Sequence, residues 1–266
     1  MDECWINVNG LKVRYLESGK GNNRHILFIH GLGSAADRWM KIPDILSSEF
    51  HSVAVDLPGF GESDKPANID YTMDQFRDFI ISFQEEISIH DGETRLIGHS
   101  LGGYIASEIA IKNPNRVKQL VLIDSSGMLN QSTPILEKYF DAAMNPTEDN
   151  VRKVFEKMVA DPSRVPSQLV KSFIRRINMP NAKQAFSSTL SNSTKTQIGL
   201  DRLKQINSTP TLVLWGAHDR VIPLEHSKFF KDSIENSKLE IIDDAGHAPF
   251  AEKPDQICKI LQNFLI

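Results

Sequence analysis

Leu96-Ile97-Gly98-His99-Ser100-Leu101-Gly102-Gly103 is the stretch whose reading decides the fold of this chain. It closes a short apolar run, Thr94 to Ile97, and opens an Ala- and Ile-rich run, Leu101 to Lys112, that stops at Asn113-Pro114. Proline disfavours helical backbone in the residue before it, so the order reads strand, sharp turn, helix. The turn carries Gly-x-Ser-x-Gly. Its flanking glycines let strand and helix pass closely, where larger side chains would obstruct. A serine placed there sits in strained backbone and is projected from the end of the strand. The helix N-terminus beside it favours any negative charge that develops nearby. Five matching residues occur by chance; in this strand-to-helix setting they point to a nucleophile at Ser100.

The same rhythm extends outward. His25 to Ile29, Ser52 to Val55, Leu120 to Ile123, Thr211 to Leu214 and Leu239 to Ile242 are further short apolar runs without alternation. Such runs suit strands covered on both faces, as in a mostly parallel sheet. Between them, Met73 to Ile87 places Phe76, Phe79, Ile80 and Phe83 on one helical face, and Pro254 to Leu265 does the same with Ile257, Ile260, Leu261 and Phe264. Trp5 to Leu16 alternates about Asn9-Gly10, a hairpin signal. Strand and helix in succession predict a doubly wound α/β fold.

One region breaks the rhythm. Met128 to Asn207 shows no strand pattern; Glu148 to Ala160 and Ser167 to Ile177 are amphipathic, separated by Asp161-Pro162 and Pro166. We expect an α/β core in residues 1–127 and 208–266. Residues 128–207 are then a helical cap over the sheet's carboxyl edge, where ligand crevices form.

A chain of 266 residues suits one core, and 40% hydrophobic with 24% charged residues is a globular balance. A net charge of -4 gives no electrostatic reason to expect nucleic acid or an acidic membrane surface. No stretch approaches the ~20 apolar residues of a membrane helix. The start, Met1-Asp2-Glu3-Cys4-Trp5, lacks the basic-then-apolar pattern of a secretory signal. Cys4 and Cys258 stand at opposite ends without metal-type or redox-type spacing, so free thiols and a cytoplasmic setting are expected.

A serine hydroxyl needs a base within hydrogen-bond reach, and histidine suits that near neutral pH. Of eight histidines, His247 follows the last strand in Asp243-Asp244-Ala245-Gly246-His247-Ala248-Pro249-Phe250. Its place last in the order serine, acid, histidine fits this architecture. His25, His51, His90 and His226 have no such setting and read as surface or packing residues. Asp219, on the loop after Thr211 to Leu214, is the expected orienting acid; Asp124, after Leu120 to Ile123, is its rival, otherwise a surface or cap-facing carboxylate. Asp243 and Asp244 lie too close to the base loop. The oxyanion of an acyl-transfer reaction needs preorganised N–H donors. Leu101, after the serine, and Leu32, in His30-Gly31-Leu32-Gly33, are expected to supply them from the backbone. Gly59-Phe60-Gly61 lacks the third glycine and the helix of a dinucleotide site, and reads as a turn bordering the site.

Together, His30-Gly31, Asp56 to Ser63, Gly98 to Gly103, Trp215-Gly216 to Pro223 and Gly246 to Phe250 resemble the α/β-hydrolase superfamily. The resemblance spans both ends of the chain and leaves the cap divergent. It implies a Ser100–His247–Asp219 triad, acyl transfer through a covalent acyl-enzyme, a small-molecule ester substrate, and neither cofactor nor metal. Asn145 to Ser163 is similar to the cap of meta-cleavage-product hydrolases, which cleave carbon–carbon bonds in vinylogous diketones. Those enzymes carry an aromatic residue directly after the histidine. Ala248-Pro249-Phe250 departs from this and resembles carboxylesterases, including those acting on pimeloyl esters. Serine at position 100 departs from the dehalogenases and epoxide hydrolases, which use aspartate there. A small, mostly apolar ester is the expected substrate, with Met128, Phe140, Met144, Met158, Phe173 and Met179 as candidate pocket residues. The alternatives are diketone hydrolysis and a slow-turnover ligand receptor of the same fold, as in some plant hormone sensors.

Overall fold

A computed structural model describes residues 1–39, 41–89, 92 and 94–266; His90 lies outside them. Among the described residues eight strands form one sheet in the order β1-β2-β4-β3-β5-β6-β7-β8. They are β1 (Asp2–Val8), β2 (Leu11–Ser18), β3 (His25–Ile29), β4 (His51–Val55), β5 (Thr94–His99), β6 (Gln119–Ile123), β7 (Thr211–Gly216) and β8 (Ser237–Ile242). β1 pairs antiparallel with β2, and β2 with β4; every later pairing is parallel. The hairpin turns at Asn9 and Gly10, both at positive φ, as a two-residue turn requires.

The uninterrupted apolar runs have a direct cause. Alternate residues of each central strand point to opposite faces, and both faces are covered. Leu27, Leu96, Leu122 and Val213 enter one core, while Phe28, Ile97, Val121 and Leu214 enter another. Helix α1 (Lys41–Leu46) packs on the second face. Helices α2 (Met73–Glu86) and α3 (Leu101–Lys112) pack on the first. α2 begins with a capping box: Thr72 Oγ1 accepts from the Gln75 N–H, and Gln75 Oε1 accepts from the Thr72 N–H.

Residues 128–207 contain no strand and carry α4 (Pro134–Met144), α5 (Glu148–Met158), α6 (Ser167–Ile177), α7 (Ala182–Lys195) and α8 (Leu200–Leu203). The amphipathic pattern predicts α5 through Ala160, but the helix stops at Met158. Val159 is extended, and the Met158 carbonyl accepts the His247 N–H at 2.7 Å. Pro162, four residues on, has no N–H to give that carbonyl, and the His247 loop supplies the donor instead. After β7 come α9 (His226–Ser233), α10 (Pro249–Glu252) and α11 (Pro254–Leu265), the last seating Ile257, Leu261 and Leu265 in the second core. No helix among the described residues is long and apolar enough to cross a membrane.

Candidate functional site

Ser100 joins β5 to α3 at φ 52 and ψ −117, in the left-handed half of backbone space that a non-glycine residue rarely adopts. The strain is held by hydrogen bonds to the chain leaving β6. The Ser100 N–H donates to Ile123 O at 3.0 Å, and the Ser126 N–H donates to Ser100 O at 3.1 Å. The two flanking glycines are steric necessities. A Cβ on Gly102 would stand 2.0 Å from Ile29 O, and one on Gly98 would stand 2.3 Å from Gly102 O.

The loop after β3 approaches from the neighbouring strand. Within it the Leu57 N–H donates to His30 Nε2 at 3.0 Å, so the His30 proton sits on Nδ1 and is donated to Gly31 O at 2.8 Å. Burial lowers the His30 pKa, which keeps this neutral tautomer. Asp56 adds a second brace, accepting from the Ala36 N–H at 2.6 Å. Gly59-Phe60-Gly61 borders the cavity rather than lining it: with Gly33, Phe173 and Arg176 it lines an adjoining pocket, and its neighbours Asp56 and Leu57 brace the Leu32 loop. Tyr139 of α4 donates its O–H to Leu32 O at 3.1 Å. The sequence carries no local signal for this residue, because its role exists only once α4 crosses the loop.

His247 Nδ1 donates to Asp219 Oδ2 at 2.7 Å, with the Asp219 side chain fully buried. Asp219 Oδ1 accepts from the Val221 and Ile222 N–H groups at 2.7 and 3.0 Å, which aims Oδ2 at the imidazole. His99 Nε2 donates to the His247 carbonyl at 2.6 Å. Burial first, and the nearby His247 second, hold the His99 pKa well below its ordinary value. Phe250 stacks on Trp39 at 4.3 Å and pins the base loop from the other side.

Asp124 is not the surface or cap-facing carboxylate that its position in the sequence suggests. It is wholly buried, and its Oδ1 accepts from the Gly216 N–H at 2.9 Å. The carboxyls of Asp124 and Asp219 and the imidazole of His247 each place an atom within 4.8 Å of the others. Burial, then the neighbouring Asp219 charge, raise the Asp124 pKa well above its ordinary value. Both Asp219 oxygens are hydrogen-bonded, whereas Asp124 Oδ2 is buried without a hydrogen-bond partner. Asp243 and Asp244 are exposed, as is His218; His51 is buried against Glu17.

Ser100, His247 and Leu32 line one cavity of about 180 Å³. Leu101 does not line it with its side chain, but it opens α3, where the first amides have no intrahelical acceptor. Ser100 makes no side-chain hydrogen bond to His247 in this structure. Such contacts are often long before substrate binds. Of the six candidate pocket residues only Met158 and Phe173 line the cavity; Met128, Phe140, Met144 and Met179 pack against the core. Leu136, Phe155, Leu169 and Val221 complete an apolar wall.

A family model described as alpha/beta hydrolase fold matches residues 24–254. Lipase 3 of Moraxella sp. is 30% identical over 252 residues, covering 92% of this chain and 78% of that protein. The 2-hydroxy-6-oxo-6-(2'-aminophenyl)hexa-2,4-dienoic acid hydrolase of Metapseudomonas resinovorans is 27% identical over 274 residues, with coverages of 99% and 90%. Among solved structures, a meta-cleavage product hydrolase superposes with a TM-score of 0.89 at 25% identity, covering 98% of this chain and 97% of its own. A bacterial membrane phospholipase A superposes at 0.85 with 26% identity, covering 99% and 85%.

Proposed function

Because the chain belongs to the α/β-hydrolase fold family, we propose that it is a serine hydrolase cleaving a small, mostly apolar carboxylic ester through an acyl-enzyme. The observation that carries this reading is the meeting of a strained Ser100 with the His247–Asp219 pair at one apolar cavity. Residues 128–207 act in it as the cap, supplying most of the apolar wall.

In this mechanism Ser100 Oγ attacks the ester carbonyl while His247 Nε2 takes its proton. The tetrahedral oxyanion is received by the N–H groups of Leu32 and Leu101. Asp219 stabilises the imidazolium and holds its tautomer. The proton then goes from His247 to the departing alcohol as the C–O bond breaks. Water, deprotonated by His247, attacks the acyl-enzyme, and the carboxylic acid leaves with Ser100 Oγ reprotonated.

A second reading, carbon–carbon hydrolysis of a meta-cleavage-type diketone, is supported by the relatives that bear that activity in their names. The two are separated by assaying 4-nitrophenyl esters of increasing acyl length and a ring-fission diketone, with wild type and Ser100→Ala. Ester turnover abolished in Ser100→Ala is the expected result. Fast diketone cleavage with negligible ester turnover would overturn the esterase reading in favour of the second. Stoichiometric acylation without turnover would overturn both and leave a receptor.

A further inference from the structure

The cavity wall beside Ser100 is mostly apolar, yet it contains a cation, Arg38, that makes no ion pair with any described residue. Arg38 lies on the 3-10 turn Ala36–Trp39, directly after the Leu32 loop, and lines the cavity. The other arginines near it are engaged. Arg14 pairs with Glu3, Asp37 and Asp56, Arg176 with Asp37 and Glu62, and Arg164 with Asp161. Arg38 forms no side-chain hydrogen bond and no ion pair with any described residue. Its guanidinium stands 6.0 Å from the centroid of Phe250, at the outer limit of a cation–π contact.

Glu252, the acid on the same wall, raises the Arg38 pKa at a distance but forms no ion pair with it. Glu252 Oε1 accepts from the Gly246 N–H at 2.9 Å, and Oε2 accepts from the Ala160 N–H at 2.8 Å. Both oxygens are thus committed to fixing the base loop and the end of α5. A guanidinium keeps its proton in proteins, so the partly buried Arg38 faces the cavity with a charge that no described carboxylate pairs. Burial lowers its pKa, the direction expected of such a site. A ligand carboxylate would supply the missing ion pair, and it matches the planar two-pronged donor face.

We propose that Arg38 is a specificity-determining residue that binds a free carboxylate on the substrate, so that the ester cleaved is a half-ester of a short dicarboxylic acid. This deepens the serine-hydrolase reading above and rests on it. The apolar wall holds the methylene chain, and Arg38 holds its charged end while Ser100 attacks the ester end. Binding at a distance from the reacting carbonyl acts mainly on KM.

The test compares 4-nitrophenyl hydrogen adipate with 4-nitrophenyl hexanoate, whose acyl chains differ by a terminal carboxylate in place of a methyl group. In wild type the half-ester should have a kcat/KM about 10- to 100-fold higher, the range of a charged hydrogen bond, mostly through KM. In Arg38→Met the ratio should collapse to about one, with Arg38→Lys between the two. Because the ratio is taken within each variant, a general loss of folding or activity does not imitate the result. A wild-type ratio at or below one, or a ratio that survives in Arg38→Met, overturns the proposal.

A binding arm separates this from the reaction itself. Calorimetry on Ser100→Ala, with and without Arg38→Met, compares monomethyl adipate with methyl hexanoate. Arg38-dependent preference for the charged ester without turnover in wild type keeps the carboxylate site and defeats the hydrolase reading. Turnover with no charge preference in either arm does the reverse.

Discussion

Asp124 and Asp219 are buried side by side at the carboxyl ends of β6 and β7, but only Asp219 carries the hydrogen bond to His247. Two amides hold one Asp219 oxygen and so aim the other at the imidazole. Asp124 instead accepts from the Gly216 N–H, and burial beside another carboxylate favours its protonated form. A neutral acid cannot stabilise an imidazolium.

Asp219→Asn should therefore lower kcat by about 10³- to 10⁴-fold, the scale seen when a triad acid is lost. Asp124→Asn should lower it far less. Steady-state kinetics on both variants decides the matter, and the opposite ranking would transfer the orienting role to Asp124.

The same pair predicts a pH effect on stability. The Asp124 pKa is raised above 3.8 in the folded protein, so its stabilising protonation is fully present below that value and is lost as pH rises through the folded pKa. Asparagine keeps the shape without titrating. Denaturation of Asp124→Asn should show a stability gain over wild type that grows as pH increases. A gain independent of pH would mean that Asp124 is not held protonated.

His30 and His99 act in the other direction. Burial is the first cause of both lowered pKa values. Their contribution is present above the ordinary value of 6.5 and is lost as pH falls through the folded values. Melting temperature should drop on acidification below neutrality, and less steeply in His99→Gln. Equal slopes for the two proteins would remove His99 from this account.

Tyr139→Phe removes only the hydroxyl that holds Leu32 O. If that bond fixes the oxyanion loop, kcat should fall by about 2- to 10-fold, the worth of one neutral hydrogen bond, with KM nearly unchanged. A change confined to KM would make Tyr139 a wall residue of the cavity instead.

Gly102→Ala places a methyl against the Ile29 carbonyl, a backbone group with nowhere to retreat. The expected cost is about 1–3 kcal/mol, as for other overpacked sites, measured by urea denaturation. Wild-type stability in this variant would show that α3 can shift away from β3.

Much of the architecture was legible because it depends on local chemistry. Unalternating apolar runs mark strands buried on two faces, and Asn9-Gly10 supplies the positive φ angles of the hairpin. The Gly98 to Gly102 motif requires a strand before it and a helix after it, and both are there. Helix ends were less legible. α5 stops at Met158, whose carbonyl finds its donor in His247, far away in the chain.

By itself the sequence determined the succession of strands along the chain, the helices α2, α3, α5, α6 and α11, the position of Ser100 on its turn, and the candidates for base and acid. These follow from periodicity, turn chemistry and chain order, which are properties of neighbouring residues. Only the tertiary structure decided which acid faces His247, that Tyr139 holds the Leu32 loop, which apolar residues of 128–207 reach the cavity, and that Arg38 stands there without an ion pair to any described residue. Each of these depends on groups far apart in sequence meeting in one buried volume, where geometry and desolvation rather than residue type set the hydrogen bond made and the charge kept.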